Sequence, residues 1–435
     1  MKKEQQEIID KLGIAELNEM QIETQKAISN HKEVVLLSPT GSGKTLAFLL
    51  PLIANLDPES EEIQALILVP SRELAIQIEQ VTREMGSGYK INAVYGGRSG
   101  SKDKMELKHT PAILIGTPGR VADHIRRENI STQFIKTLVL DEFDKSLETG
   151  FEKEMKEIVE SLPALDRKIL TSATQKAEIP EFLRLIEPKE INFLGGAKTK
   201  LKLQLVVSPT KNKLETLANL LAHIGNANGI IFCNLKDTIS GVSTFLEKRR
   251  INHECFFGGM EQIDRERALI KFRNGSSKVL VATDLAARGI DVPALDYIIH
   301  FQLPPREDEF THRNGRTARM NSNGTAYILK GKDEKLPSFI SGVNELKIDA
   351  TEKEVELDQW TTLFVSGGRK DKISKGDIAG LFFKQGQLGK EELGNIELKQ
   401  DCAFVAVPTA KAHKLIASLN NTKLKTKKVR ISELK

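Results

Sequence analysis

An apolar run, Val34-Val35-Leu36-Leu37, breaks into Ser38-Pro39-Thr40-Gly41-Ser42-Gly43-Lys44-Thr45 and resumes as a second apolar stretch from Leu46 to Ile53. A strand that enters a glycine-rich turn and leaves as a helix fits best in a parallel sheet with helices on its faces. The same turn carries chemistry. It points backbone N–H groups and a helix N-terminus at a phosphate chain. Lys44 supplies a charge for the outer phosphates, and the Thr45 hydroxyl is a ligand type for Mg²⁺. Further on, Thr137 to Leu140 forms another apolar run and ends in Asp141-Glu142-Phe143-Asp144. A nucleoside triphosphate held through Mg²⁺ needs one carboxylate near the metal. Its hydrolysis needs another to orient or deprotonate the attacking water. Asp141 suits the first role and Glu142 the second.

The alternation that surrounds these motifs occurs twice. Val34–Leu37, Ala65–Val69, Ile91–Tyr95, Ala112–Gly116, Thr137–Leu140 and Lys168–Thr171 read as strands, with helical stretches such as Arg72–Met85 and Phe151–Leu162 among them. After Gly195-Gly196-Ala197-Lys198-Thr199-Lys200, which has the composition of a linker, the pattern resumes. Leu203–Val207, Gly229–Cys233, Cys255–Gly258, Lys278–Ala282, Tyr297–Phe301 and Thr325–Leu329 read as strands, and Leu214–Ile224, Thr238–Arg249 and Glu261–Phe272 as helices. Apolar strands that alternate with amphipathic helices imply a parallel sheet covered on both faces. The second half has no phosphate loop, so two α/β lobes sharing one nucleotide in the cleft between them are expected. Residues 331–358 are charged and irregular and read as a connector.

From Thr361 the order changes to β-α-β-β-α-β: Leu363–Val365, Gly376–Lys384, Asn395–Leu398, Phe404–Val407, Ala410–Leu419 and Val429–Ile431. That order fits a small ferredoxin-like sheet of the RRM type. Charge is concentrated here. Residues 361–435 hold 15 Lys and Arg against 7 Asp and Glu, a net of +8, whereas the other 360 residues hold 49 against 52, a net of −3. Such asymmetry points to a polyanionic partner. No apolar run reaches the roughly 18 residues of a membrane span, and the first residues lack the apolar core of a signal peptide. The three cysteines, Cys233, Cys255 and Cys402, fit no metal-binding spacing. These features favour a cytoplasmic setting.

Read in order, the motifs resemble the DEAD-box ATP-dependent RNA helicases over residues 13–330. They are Ser38–Thr45, Pro70-Ser71-Arg72-Glu73-Leu74-Ala75, Gly96-Gly97, Thr117-Pro118-Gly119-Arg120, Asp141–Asp144, Ser172-Ala173-Thr174, Gln262-Ile263-Asp264-Arg265, Thr283–Asp291 and His312–Arg319. The resemblance implies two tandem RecA-like parallel-sheet domains, residues 1–196 and 201–345, that bind ATP and Mg²⁺. Lys44, Asp141, Glu142, Arg316 and Arg319 would be catalytic, with the two arginines reaching the γ-phosphate from the second lobe. Gln21 would read adenine, since an amide pairs with both N6 and N7, and Asp291 would contact the ribose. Thr45 and Asp141 would hold the metal. Ser172, Thr174 and His312 would couple nucleotide to RNA. Arg72, Gly97, Thr117, Gly119 and Arg120 on one lobe, with Gln262, Arg265, Thr283 and Asp284 on the other, would grip an RNA backbone.

Residues 361–435 resemble the C-terminal RNA-binding domain of bacterial DEAD-box helicases that act on large-subunit ribosomal RNA. The matching residues are Gly367-Gly368-Arg369-Lys370-Asp371-Lys372, Gly376-Asp377-Ile378, Gly394-Asn395-Ile396 and Phe404-Val405-Ala406-Val407. Arg369, Lys370 and Lys372 are candidate phosphate contacts. So is the run Lys423, Lys425, Lys427, Lys428, Arg430, which also reads as a loose tail. Phe364 and Phe404 stand where an RRM stacks bases, the third such position is Cys402, and Phe404 reads equally well as core.

The sequence departs from the family in several places. Phe143 replaces an alanine beside the carboxylates, and Leu17-Asn18 replaces Pro-Thr before Gln21. No Phe, Tyr or Trp precedes Phe48 to stack on adenine, Ser71 replaces a threonine, and Ala318 replaces a glycine. The whole reads as an α/β chain with a small C-terminal α+β RRM-like domain. The expected activity is ATP-dependent remodelling of structured RNA, with ribosomal RNA in large-subunit assembly as target. Ribosomal precursor particles are expected partners, and a monomer suffices. An ATP-gated RNA clamp with slow hydrolysis is the alternative from the binding-protein class, and a helicase acting on DNA is a second.

Overall fold

In the strand Glu33–Leu37 (β1), Val34 and Leu36 enter one apolar cluster while Val35 and Leu37 enter another. Alternate residues of a strand face opposite sides of a sheet, so this strand is buried on both faces, as a parallel sheet requires. A computed structural model describes residues 5–97, 100–174, 178–195, 201–284, 292, 295–317, 323–348 and 359–434. These form two compact units, divided near residue 200.

In the first unit β1 is joined by Ala65–Leu68 (β2), Ile91–Val94 (β3), Ile113–Gly116 (β4), Thr137–Leu140 (β5), Arg167–Ser172 (β6) and Lys189–Asn192 (β7). Their order in the sheet is β3-β4-β2-β5-β6-β1-β7. All pairings are parallel. The order makes β5, β6 and β1 neighbours. The glycine loop after β1, the carboxylates after β5 and Ser172 at the end of β6 therefore emerge side by side at the carboxyl edge. Leu37 is in register with Ser172, and the Ser38 N–H donates to the Ser172 carbonyl at 3.0 Å.

The second unit begins with an equivalent sheet: Leu201–Ser208 (β8), Gly229–Phe232 (β9), Glu254–Phe256 (β10), Val279–Ala282 (β11), Tyr297–His300 (β12), Gly324–Gly331 (β13) and Asn344–Glu345 (β14). Its order is β10-β11-β9-β12-β13-β8-β14, the first sheet's order with seven added to every number. Ile328 and Leu329 on β13 feed separate clusters on the two faces.

A third, antiparallel sheet follows, from Trp360–Val365 (β15), Ile396–Leu398 (β16), Ala403–Pro408 (β17), and, after a small hairpin of Lys423–Leu424 (β18) and Lys427–Lys428 (β19), Ile431–Glu433 (β20). Its order, β16-β17-β15-β20, is that of an RRM. Leu363, Val365 and Val405 point at the helices Lys375–Lys384 and Thr409–Leu419, where Ile378, Phe382 and Leu415 complete the core. Phe364 and Phe404 lie directly opposite each other on the other face, with ring centroids 5.9 Å apart.

The last strand runs Ile431–Glu433 rather than Val429–Ile431. The basic run expected as a possible tail instead forms the β18–β19 hairpin, anchored by buried Leu424 and Val429.

Candidate active site and RNA-binding elements

The phosphate loop is shaped by two glycines with left-handed backbone, Gly41 at φ 82° and Gly43 at φ 91°. Such angles are costly for any residue with a Cβ. At Gly43 a Cβ would also come within 2.5 Å of the Gln21 amide nitrogen. The Lys44 ammonium donates to the carbonyls of Ser38 (2.6 Å) and Pro39 (3.0 Å), spanning the loop. Ser38, where the family has another small residue, bonds hydroxyl to hydroxyl with Ser42 at 2.8 Å.

Gln21 and Asn18 brace this loop from behind. Asn18 caps the helix Glu19–Asn30 by accepting from the Gln21 N–H at 2.9 Å, and Gln21 Oε1 accepts from the Asn18 N–H at 3.0 Å. Their remaining amide donors reach the loop: Asn18 Nδ2 to the Ser42 carbonyl at 3.0 Å, and Gln21 Nε2 to the Gly43 carbonyl at 3.3 Å. Asn18, a departure at the sequence level, thus serves as both helix cap and loop strut.

Asp141 is 3% exposed and accepts from Thr171 Oγ1 at 2.5 Å. The same Thr171 oxygen accepts the Glu142 N–H at 3.2 Å. One hydroxyl on β6 therefore fixes both carboxylate-bearing residues at the end of β5. Thr171 was missed in the sequence because it precedes Ser172-Ala173-Thr174 inside an apolar strand. Burial, and next the charge of Glu142, push the Asp141 carboxyl up to about 6 against the pull of Thr171 and Lys44. A divalent cation beside it would relieve that penalty, so Asp141 with the Thr45 hydroxyl suits Mg²⁺. Among the described residues no cluster of three His, Cys, Asp or Glu side chains could hold a metal alone.

Glu142 caps the helix Phe143–Glu148 in a left-handed conformation, φ 49° and ψ 49°. Strain of this kind in a non-glycine residue costs about 1–3 kcal/mol and concentrates at functional sites. Behind the carboxylates, Phe143 is 1% exposed in the core with Leu37, Leu140 and Leu170. Asp144 is buried, which raises its pKa, and accepts from Thr174 Oγ1 at 3.1 Å. Thr174 in turn bonds Ser172, so both residues of this segment are linked to the acidic strand end. Because Phe143 fills the core, Phe143→Ala, which restores the family's residue, opens a cavity. The expected cost is about 3 kcal/mol of stability, read as a lower denaturant midpoint of the first unit.

The RNA candidates of the first unit divide into two groups. Arg72 and Gly97 are brought together: a Cβ at Gly97, φ 85°, would lie 2.3 Å from the Arg72 guanidinium. Thr117 precedes the helix Pro118–Arg126 without a side-chain capping bond, and Gly119 lies in its first turn. The Arg120 guanidinium is instead directed at carboxylates, 2.8 Å from buried Asp103 and 3.2 Å from Asp123. Asp103 also meets buried His124 at 3.2 Å. Arg120 is thereby a brace for this corner of the lobe.

In the second unit Gln262 and Arg265 open the helix Gln262–Arg273, with Arg265 4.7 Å over the Phe256 ring. The Thr283 N–H donates to the Phe256 carbonyl at 3.3 Å, at the same strand edge. Asp284 turns inward, and both its oxygens accept from Arg313, at 2.7 and 2.5 Å. Arg313 is 1% exposed and also donates to the Gln302 carbonyl (2.8 Å) and Asn234 Oδ1 (2.7 Å). The guanidinium is a hub that ties the helix Glu307–Asn314, with His312 on it and Arg316 just beyond, to β9, β11 and β12. Arg319 and Asp291 lie outside the described residues.

In the C-terminal domain Gly368 is required by close approach. A Cβ there would sit 2.5 Å from the backbone of Gln400 and Asp401. The approach docks the turn Arg369–Asp371 on the β16–β17 connection and leaves Arg369, Lys370 and Lys372 exposed. The aromatic face is covered. Phe404, 8% exposed, packs with Phe364, Cys402 and Leu434 against Ile270 of the second lobe. Around this contact Arg273 Nη2 donates to both carboxylate oxygens of Glu397, at 2.7 and 2.9 Å. Thr362 meets Asn274 and Ser276 at 3.2 and 2.6 Å. Burial acts to raise the Glu397 pKa, and Arg273 with Lys399 outweighs it, holding the group below the usual range. Phe404 therefore packs at the junction between the C-terminal domain and the second lobe, the core position that the sequence also allowed.

Family models match the chain three times: DEAD/DEAH box helicase over residues 18–182, helicase conserved C-terminal domain over 212–321, and DbpA RNA binding domain over 362–433. The ATP-dependent RNA helicase DbpA of Escherichia coli (strain K12) is 32% identical over 440 residues, covering 98% of this chain and 96% of that protein. Its namesake from Bacillus subtilis (strain 168) is 30% identical over 460 residues, with the same coverage. Among solved structures, the DEAD-box helicase Mss116 bound to ssRNA and UDP-BeF aligns with a TM-score of 0.70 at 25% identity. It covers 81% of this chain and 79% of that one. Dbp5 of S. cerevisiae bound to RNA and ADP BeF3 aligns at 0.67 and 25%, covering 76% and 87%. With an ATP-type phosphate loop, paired carboxylates, two equivalent parallel sheets and an RRM-like third sheet all in place, the chain belongs to the DEAD-box ATP-dependent RNA helicases, in the bacterial group that carries a C-terminal DbpA-type RNA-binding domain.

Proposed function

We propose that this helicase remodels ribosomal RNA in large-subunit precursor particles, and that the C-terminal domain selects the target. The observation that carries the reading is the division of that domain's surface. Its aromatic face is spent on the second lobe, whereas Arg369, Lys370, Lys372, Lys423, Lys425, Lys428 and Arg430 remain exposed along its basic edge. An edge of that kind contacts phosphates and reads the shape of a folded RNA rather than stacking its bases. We take residues 1–196, 201–345 and 361–435 as the working domains, the active form as a monomer, and the cytoplasm as its compartment. The free thiols of Cys233, Cys255 and Cys402 accord with a reducing environment. No helix among the described residues is long and apolar enough to cross a membrane.

In this reading the Ser38–Thr45 loop binds the phosphates of ATP, and Gln21 moves one amide end from the loop to the adenine. Thr45 and Asp141 hold Mg²⁺, which when bound neutralises charge on the phosphates. Glu142 orients the attacking water and takes its proton. Arg316 and Arg319 stabilise charge on the γ-phosphate from the second lobe. Arg72, Gly97, Thr117, Gly119, Gln262, Arg265 and Thr283 hold one RNA strand by its backbone. ATP-driven approach of the lobes then bends that strand away from its partner, and hydrolysis releases it.

The Arg369→Glu/Lys370→Glu variant tests the targeting step. Both residues are exposed, so the fold is expected to survive. Affinity for a large-subunit ribosomal RNA fragment should fall at least about tenfold in moderate salt, and the salt dependence should flatten by about two released ions. Unchanged affinity and salt slope, measured by fluorescence anisotropy, would count against the basic edge as the RNA surface.

A further inference from the structure

Arg316 stands two residues past the last residue of the helix Glu307–Asn314 and is 5% exposed. The chain around it is tied three times to the neighbourhood of one strand. Before it, Arg313 donates to the carbonyl of Gln302, just past the end of β12. After it, the Thr317 hydroxyl donates at 2.5 Å to the carbonyl of Leu295, just before β12, and these two residues form a parallel bridge. Between them lies a tie that no motif in the sequence announces. His300 ends β12 and Asn314 ends the helix, and the ring Nε2 of one lies 3.1 Å from the amide Oδ1 of the other.

We propose that His300 and Asn314 are positioning residues for Arg316, a role that rests on the γ-phosphate contact proposed above for that arginine. His300 is fully buried. Its ring centroid lies 4.9 Å from that of Phe310 and 6.4 Å from that of Phe232. Phe310 and Asn314 are four apart on the helix and share a face, and His300 meets both. Burial, and next the Arg313 guanidinium, push the imidazole down to about 3, so the ring is neutral and carries a single N–H. An amide oxygen only accepts, so the hydrogen is on Nε2 and Asn314 receives it. Nδ1 is then a bare acceptor, and no partner reaches it among the described residues. A buried acceptor left bare is costly. Phenylalanine would fill the same aromatic packing without that cost. What histidine adds is the hydrogen bond to Asn314.

The bond matters because of where Asn314 sits. The Arg316 N–H donates to the Arg313 carbonyl and the Thr317 N–H to the Asn314 carbonyl, each at 3.1 Å. The backbone that carries the Arg316 side chain is therefore set by Arg313, Asn314 and Thr317. The last turn of a helix has carbonyls without helical partners and needs outside ties. A misplacement of about 1 Å in a group that meets the reacting atoms can cost about 100-fold in rate.

RNA-stimulated ATP turnover by the full chain, resolved into kcat and KM for ATP and measured beside the thermal midpoint of each variant, tests the tie. Asn314→Ala, at a half-buried position, and His300→Phe, which keeps the ring packing, should each lower kcat about tenfold, with KM and midpoint close to wild type. Asn314→Asp keeps an accepting oxygen and should retain most of the turnover. In an Arg316→Ala background, Asn314→Ala should cause no further loss, because residues that act as a unit are not additive. Wild-type kcat in both Asn314→Ala and His300→Phe would overturn the proposal. So would a second, multiplying loss in the Arg316→Ala background, or a fall in kcat that only tracks the midpoint. Wild-type turnover in Arg316→Ala itself would overturn the γ-phosphate role of that arginine, and the positioning role with it.

Discussion

Glu142→Gln lowers RNA-stimulated ATP turnover by roughly 10²–10⁴-fold, the range for loss of a positioned general base, while binding of ATP and RNA survives. Glu142 is held at the end of β5 by its strained backbone and by Thr171, and its side chain is half-buried beside the Asp141 carboxylate. Glutamine keeps the shape and loses the ability to accept a proton. The same variant separates the motor from an ATP-gated clamp. A clamp that works by binding alone would keep wild-type behaviour in RNA retention and in its biological readout. A helicase would trap RNA and stop turning over. Single-turnover hydrolysis beside an RNA-dissociation assay gives both numbers.

Arg313→Ala is expected to cost about 3–5 kcal/mol, the penalty for breaking a buried ion pair by removing one partner. Four hydrogen bonds end at this guanidinium, and two of them neutralise Asp284. Alanine would leave that carboxylate and the Asn234 amide oxygen without their partner and remove the stacking over Phe232 at 5.1 Å. The second lobe should lose stability in urea. Arg316, carried just beyond the same helix, should lose its position, so turnover should fall with stability. The double variant Arg313→Met/Asp284→Leu distinguishes packing from charge. If it recovers most of the stability without recovering turnover, the hub positions the helix through its hydrogen bonds. Wild-type stability in Arg313→Ala alone would contradict the account.

The phosphate loop, the acidic strand end and the two runs of alternating elements were legible because each is local: glycines, an apolar run and its terminating charges sit within a few residues. What was not legible depends on partners distant in the chain. Arg120 reads as a backbone grip within Thr117–Arg120, but its carboxylate partner, Asp103, lies outside any motif. Asp284 reads the same way until Arg313 closes on it from 29 residues away. The edge strands β7 and β14 are short and polar, with no alternation to announce them. Phe404 was ambiguous because a sheet aromatic that stacks on a base and one that packs on a neighbouring helix look alike in sequence. Only the third dimension brings Ile270 and the Arg273–Glu397 pair to that face.

The most direct test of the central claim is steady-state ATP hydrolysis by the full chain at one stated salt concentration, with large-subunit ribosomal RNA, an unrelated structured RNA and single-stranded DNA compared. Strong stimulation by the ribosomal RNA alone, lost in Arg369→Glu/Lys370→Glu, is the predicted result. Equal stimulation by both RNAs would contradict the ribosomal assignment, and stimulation by none would contradict the motor itself.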